Sequence, residues 1–303
     1  MPPVPTPARP DRGPDVRNPD AADMPAERAV TIRAPGARLR GVLIAAPAPR
    51  RAILINAATG VPAGFYRAFA RWLAAERQAA VLIWDYRDFA ASADGAAVTR
   101  HSPATMTDWG IHDAEAARAW LVAECPGLPL WLIGHSLGAL TVPFQRDLQQ
   151  IDRLIAVAAG PVDLPDHPWP FRAQAWTMWH LAGPLALAAL GYLPGRRLGL
   201  GADLPAGVFR QWRRWCTRPA SLPGDPDLPG LTRPGLSGAV RLVALADDVM
   251  IPPACVWRLA EWLPGAASID RVLIDPAAQG LGRVGHIAPF AARNRALWPA
   301  ILG

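Results

Sequence analysis

Leu128-Pro-Leu-Trp-Leu-Ile-Gly-His-Ser-Leu-Gly-Ala-Leu140 is a strand, a tight turn and the start of a helix in thirteen residues. The apolar run Leu130–Ile133 has the length and composition of a buried strand. It stops at Gly134-His135-Ser136-Leu137-Gly138, and the pattern then turns helical. A Gly-x-Ser-x-Gly between strand and helix predicts a sharp turn that holds the serine hydroxyl outward in a strained conformation. Its two glycines are required because backbone meets backbone there and a Cβ would clash. The helix behind opens with unpaired N–H groups and a positive dipole end, which suits an anion.

Outward from this stretch, strands and helices alternate. A hairpin, Ala29–Arg33 and Arg38–Ala45 around a Pro-Gly turn, precedes the buried strand Arg51–Ile55. A loop of small residues, Asn56-Ala57-Ala58-Thr59-Gly60, leads to an amphipathic helix over 63–76. Strand Val81–Trp84 ends in Asp85-Tyr86-Arg87-Asp88-Phe89-Ala90-Ala91-Ser92, and a helix is predicted over 107–124. After the central stretch come strand Leu154–Ala158, strand Ala239–Ala246, a helix over 253–263, strand Ser268–Ile274 and a last helix over 289–302. Such alternation predicts an α/β fold with a mostly parallel sheet covered by helices, in which ligands bind at the carboxyl ends of the strands.

The 303 residues can bury a large core. Hydrophobic residues make up 51% and charged ones 18% of the chain. Its net charge of +6 does not point to nucleic acid, because all 31 basic residues are scattered arginines. No run of them is interleaved with aromatics for stacking bases. That usage, with abundant Ala, Pro and Gly, is the coding bias of a GC-rich genome. Cys125, Cys216 and Cys255 are too few and too dispersed for a disulfide framework or a zinc site, so a reducing, cytoplasmic location is expected. Residues 1–27 are Pro-rich and charged without an apolar core segment, and read as a disordered leader rather than a secretory signal.

Residues 163–237 differ in character and hold five of the thirteen tryptophans. Within them Gln174–Leu193 carries no formally charged residue and approaches a membrane span in length. The Gly183-Pro184 pair and the polar Gln174 and His180 favour instead a buried helix of a Trp-rich cap, between the core segments 28–162 and 238–303. A weak membrane-surface contact through this cap stays open.

A serine hydroxyl becomes nucleophilic when a base takes its proton and a carboxylate orients that base. In this sheet type the chain order is serine, acid, histidine. Ser136 is the nucleophile, and His286, in a glycine-rich loop after the last strand, is the base. The acid is one of a tandem pair after strand 239–246. Asp248, four residues before Pro252, is preferred to Asp247. The N–H of Leu137 and one from the loop after the first buried parallel strand should receive an oxyanion; Ala58 is preferred, with Ala57 next. Asp85 and Arg87 are expected to tie loops beneath the site, and Trp109 and Trp120 to be core.

With these parts assembled, the chain resembles α/β-hydrolase-fold serine hydrolases, most closely the bacterial group described as serine-aminopeptidase-like. The resemblance rests on INAATGVPAGFY (55–66), DYRDFAAS (85–92), Gly134–Gly138, residues 191–215, 246–253 and GLGRVGH (280–286). It implies a helical cap over a Ser-Asp-His site. One stretch departs from the pattern: Asp88 and Ala90 stand where this fold commonly has glycines in Asp-x-Arg-Gly-x-Gly-x-Ser. The reading is a cofactor-free, metal-free esterase that forms an acyl-enzyme on a small-molecule substrate with a hydrophobic acyl or aryl group. Its rivals are an acyltransferase or an aminopeptidase-like amide hydrolase with the same triad, and a non-catalytic binding or membrane-associated protein. The sequence fixes no oligomeric state. Dehalogenase or epoxide-hydrolase chemistry is disfavoured, since both need a carboxylate at the turn.

Overall fold

The structure is a computed structural model that describes residues 25–93, 100–218 and 222–303. Strands β1 (Ala26–Ala34) and β2 (Ala37–Ala45) form the expected hairpin, the first extended at both ends and the second beginning one residue earlier. Then come β3 (Arg51–Asn56), helix α1 (Arg67–Arg77), β4 (Ala79–Trp84), α2 (Ala114–Glu124), β5 (Leu130–His135), α3 (Leu137–Leu140) and β6 (Arg153–Val157). Between β6 and the next strand of the sheet lies a segment with α4 (Phe171–Thr177), α5 (Gly183–Leu190), the small hairpin β7 (Tyr192–Leu193) and β8 (Leu204–Pro205), and α6 (Ala206–Thr217). The sheet resumes with β9 (Ala239–Leu245), α7 (Pro253–Arg258), β10 (Ser268–Ile274) and α8 (Trp298–Leu302).

The eight-stranded sheet has the order β1-β2-β4-β3-β5-β6-β9-β10. Only β2 runs against its neighbours; the five pairs from β4 to β10 are parallel. Every residue of β4, and all of β3 except Arg51, is buried, as expected of strands covered on both faces. The register sets Asn56 beside Gly134 and His135 beside Val157. The loop after β3 and the turn after β5 therefore emerge side by side at one rim of the sheet. Edge strand β10 exposes Ser268, Asp270, Arg271 and Leu273, and its charges discourage pairing with another edge.

The helices depart from expectation where proline and local polar bonds compete with the ladder. The helix behind Ser136 is a single turn. Thr141 Oγ1 bonds back to the Leu137 carbonyl and Pro143 enters the next 3₁₀ turn, so the dipole there is that of one turn, not of a long helix. The helix expected from 107 starts as a π-helical stretch, Asp108–Asp113, before α2. The uncharged segment, expected as a buried helix, runs through the end of α4, a π turn (Met178–Ala182) and α5, closed by Gly191 at φ 81°, and it leaves Trp176, Leu181 and Leu185 exposed. No helix among the described residues is long and apolar enough to cross a membrane. The C-terminal helix expected over 289–302 is three short pieces. Pro289 and Pro299 lack the N–H a ladder needs, and Asn294 breaks the run (φ −103°, ψ 21°) to donate its side-chain amide to the Ala288 carbonyl. The leader expectation lies outside the described residues for 1–24, whereas Ala26 and Glu27 belong to β1.

Candidate active site

Ser136 sits at the tip of the turn after β5 with φ 53° and ψ −117°, a conformation L-residues adopt only under constraint. The constraint is steric. A Cβ on Gly134 would lie 2.5 Å from the Ala139 backbone nitrogen, and one on Gly138 would lie 2.3 Å from the Asn56 carbonyl oxygen. Asn56 adds a polar tie: its side-chain amide donates to the Gly138 carbonyl (3.2 Å) and its oxygen accepts from the Trp84 indole (3.1 Å). The rim loop after β3 and the one-turn helix behind the serine are thus fastened together.

The tandem acids divide the work of holding His286. Asp248 Oδ2 accepts from His286 Nδ1 at 2.8 Å, while its Oδ1 accepts the N–H groups of Met250 (2.8 Å) and Ile251 (3.0 Å). With the proton on Nδ1, the Nε2 lone pair is left basic. Asp247 Oδ2 takes the N–H groups of Val284 (2.7 Å) and Gly285 (2.9 Å), the two residues before the histidine. One carboxylate holds the ring and its neighbour holds the main chain. Asp248 and His286 are both buried.

Ser136 and Leu137 line a cavity of about 260 Å³. Its apolar wall includes Met106, Val162 and Ile251 from the core, and Trp212, Trp215 and Leu222 from the segment between β6 and β9. Asp163, Arg258 and Glu261 also line it, and Arg258 is held by two bonds to Asp166 (2.7 and 2.8 Å). The Ser136 hydroxyl makes no hydrogen bond among the described residues, and His286 is not part of the lining. The residue before Ser136 ties the two segments together: His135 Nε2 bonds the His286 carbonyl at 2.8 Å, with the two imidazole rings 5.2 Å apart.

The loop expected to supply an oxyanion donor behaves differently from the expectation at Ala58. Its N–H already donates to the Tyr66 hydroxyl at 2.9 Å, and the residue is buried. Ala57 is buried too, and its carbonyl accepts from the Tyr86 hydroxyl. Thr59, the next residue, is the member of this loop that reaches the cavity. Sequence reasoning overlooked Tyr66, because an aromatic at helical spacing reads as core, and took His135 only as part of the turn.

The remaining singled-out residues are structural. Asp85 accepts the N–H groups of Ala63 (2.7 Å) and Ala91 (3.2 Å), and Arg87 grips Asp113 and Asp108. Asp88 and Ala90 adopt φ 56° and 47°, positive values that residues other than glycine seldom take. Trp109 is fully buried, and Trp120 is half-buried against the core. Burial suppresses the basicity of His135 to about 3, with His286 a second cause, and raises the Tyr66 hydroxyl. No group of three or more metal-ligating side chains lies together among the described residues.

No protein-family profile matches the sequence, and no curated protein matches it. Solved structures do. The chain is similar to an esterase of Pyrococcus furiosus (TM-score 0.60, 13% identity, covering 96% of this chain and 94% of that one). It is similar also to a soluble variant of monoglyceride lipase from Saccharomyces cerevisiae (TM-score 0.66, 16% identity, 92% and 94%). A third likeness is to the mouse alpha/beta hydrolase domain-containing protein 10 (TM-score 0.54, 16% identity, 90% and 96%). At these identities it is the architecture that is shared, over nearly the whole of each chain: the chain has the α/β-hydrolase fold.

Proposed function

We propose that the protein is a serine hydrolase that cleaves carboxylic esters with a hydrophobic acyl or aryl part. The observation that carries this reading is the 2.8 Å bond from His286 to Asp248 beside a strained serine at the rim of an apolar cavity. Ser136 Oγ attacks the carbonyl carbon as its proton passes to His286 Nε2. Charge develops on the carbonyl oxygen, and backbone N–H groups receive it. Leu137 supplies one, and the second is that of Thr59 rather than Ala58. The tetrahedral adduct collapses, the alcohol leaves with the proton from His286, and an acyl-enzyme remains. Water, deprotonated by the same imidazole, repeats the sequence and frees the acid.

The insertion acts as a cap, and Trp212, Trp215 and Leu222 line the cavity with Ser136, an apolar surface suited to a hydrophobic acyl or aryl group. An aminopeptidase-like activity is the second reading, and the observation that favours it is that the acidic Glu261 lines the same cavity. A screen of p-nitrophenyl esters by chain length beside aminoacyl anilides decides between them. We expect short-to-medium esters to turn over and anilides to stand. Anilide turnover without esterase activity overturns the assignment.

The outer face of the cap supports a weak contact with an anionic lipid surface. Five of the seven large hydrophobics exposed among the described residues are Trp169, Trp176, Leu181, Leu185 and Leu198. Residues 167–202 contain Arg172, Arg196 and Arg197 but no acid. Apolar side chains flanked by arginines favour the headgroup boundary of anionic bilayers. Cosedimentation with phosphatidylserine vesicles and not with phosphatidylcholine vesicles is the expected result. A cytoplasmic location fits three buried cysteines without disulfides.

A further inference from the structure

Two fully buried polar side chains at the rim, Tyr66 and His135, have no part in the chemistry above. They lie in one continuous chain of contacts. The Ala58 N–H meets the Tyr66 hydroxyl at 2.9 Å, that hydroxyl meets His135 Nδ1 at 2.8 Å, and His135 Nε2 meets the His286 carbonyl at 2.8 Å. The chemistry of the ends fixes every proton. A carbonyl can only accept, so His135 Nε2 carries hydrogen. A neutral imidazole has one such hydrogen, so Nδ1 is bare and accepts. The single proton of Tyr66 therefore points to His135, and its lone pair takes the Ala58 N–H. Turning the imidazole into its other tautomer would set a lone pair against the carbonyl and leave the phenol without an acceptor. Donation runs one way only, from the loop after β3, past the residue that precedes the serine, to the main chain of the candidate base.

We propose that Tyr66 and His135 are positioning residues that hold the oxyanion loop and the His286 turn in register across Ser136. The proposal rests on the serine-hydrolase reading. Both ends of the chain are main-chain groups of rim loops, neither of which is otherwise joined to the other by a strand ladder. Apolar packing alone would hold the rings: Phe290 lies 5.3 Å from Tyr66 and 5.2 Å from His135. The polar atoms add direction and spacing, and small displacements of a base or an oxyanion donor reduce rate far more than binding.

Tyr66→Phe keeps the ring in its cage and removes the central link. On a p-nitrophenyl ester we expect kcat to fall about 10- to 100-fold while KM moves less than about twofold, with labelling by a fluorophosphonate slowed by the same factor. The acid-limb pKa of kcat/KM should stay in place, because the chain touches the main chain of His286 and not its ring. His135→Leu removes both the donor to His286 and the acceptor for Tyr66. The double variant should be no worse than about threefold below the poorer single, since both cut one chain. Unchanged kcat in folded Tyr66→Phe, a loss confined to KM, or multiplicative losses in the double variant would overturn the proposal. Two measurements need no substrate. Histidine-selective ¹⁵N NMR of wild-type protein should find His135 protonated on Nε2 and bare on Nδ1; the opposite tautomer refutes the chain even if the variants do not fold. Hydrogen exchange in Tyr66→Phe should rise together in peptides covering 56–66 and 280–288, and a rise in the first alone refutes the coupling. Wild-type protein that neither hydrolyses esters nor labels at Ser136 sinks the hydrolase reading, and tautomer and exchange then still judge the chain.

Discussion

The turn after β5 and the turn after β4 solve the same backbone problem in opposite ways. The first spends glycine at Gly134 and Gly138, where a Cβ would collide with Ala139 and Asn56, and leaves the left-handed conformation to Ser136. The second has no glycine between Asp85 and Ser92, and puts Asp88 and Ala90 into left-handed conformations. A left-handed L-residue costs roughly 1–2 kcal/mol. At Ser136 that strain is inseparable from presenting the hydroxyl. At Ala90 no side-chain chemistry depends on it, and the loop is held by Asp85 and Ser92, whose hydroxyl bonds the Asp85 carbonyl (2.7 Å). The contrast teaches that strain marks a site only when the strained residue also carries a reactive group.

That comparison breaks most sharply at the serine. Ser136→Gly should lower ester hydrolysis at least about a thousandfold yet raise stability, since relief of roughly 1–2 kcal/mol exceeds the roughly 0.5–1 kcal/mol of added unfolded-chain entropy. Activity and thermal melting, read side by side, test it; a variant that melts earlier refutes the strain. Gly138→Ala should act in the reverse sense. Its Cβ must push against the Asn56 backbone, and a loss of roughly 1–3 kcal/mol is expected in urea titration. A dependence on pH follows from His135. Its folded-state basicity, held down to about 3 by burial and then by His286, lies below the ordinary 6.5. The unfolded chain therefore binds the proton more readily, and stability present above pH 6.5 drains away as pH falls towards 3, at no more than ~1.4 kcal/mol per unit. Urea midpoints measured from pH 8 to 4 should follow that sign, with a shallower slope in His135→Gln. The smallest effect is Ala90→Gly, which should stabilise by up to ~1 kcal/mol with hydrolysis unchanged.

Much of this architecture is legible in residue pattern alone. Buried strands announce themselves as apolar runs, and the observed bounds of β10 coincide with the expected ones. The order of Ser136, Asp248 and His286 along the chain follows from strand ends. Less legible is anything decided by competition for hydrogen bonds. Pro143 and Thr141 curtail the helix behind the serine, and Asn294 divides the last helix, although the apolar spacing in both places is helical. Tyr66 is invisible as a functional residue because its ring packs like any core aromatic, and only the position of its hydroxyl reveals that it takes the Ala58 N–H. Asp88 and Ala90 look like a broken turn when glycine is the criterion, yet surrounding bonds impose the turn on them.

Consecutive residues Asp247 and Asp248 grip the backbone and the imidazole of one short segment. One side chain thereby ties down the main chain before the histidine and the next one ties down its ring, both from the same end of β9. Any shift of the end of β9 would therefore carry the Asp248 carboxylate and the His286 segment together.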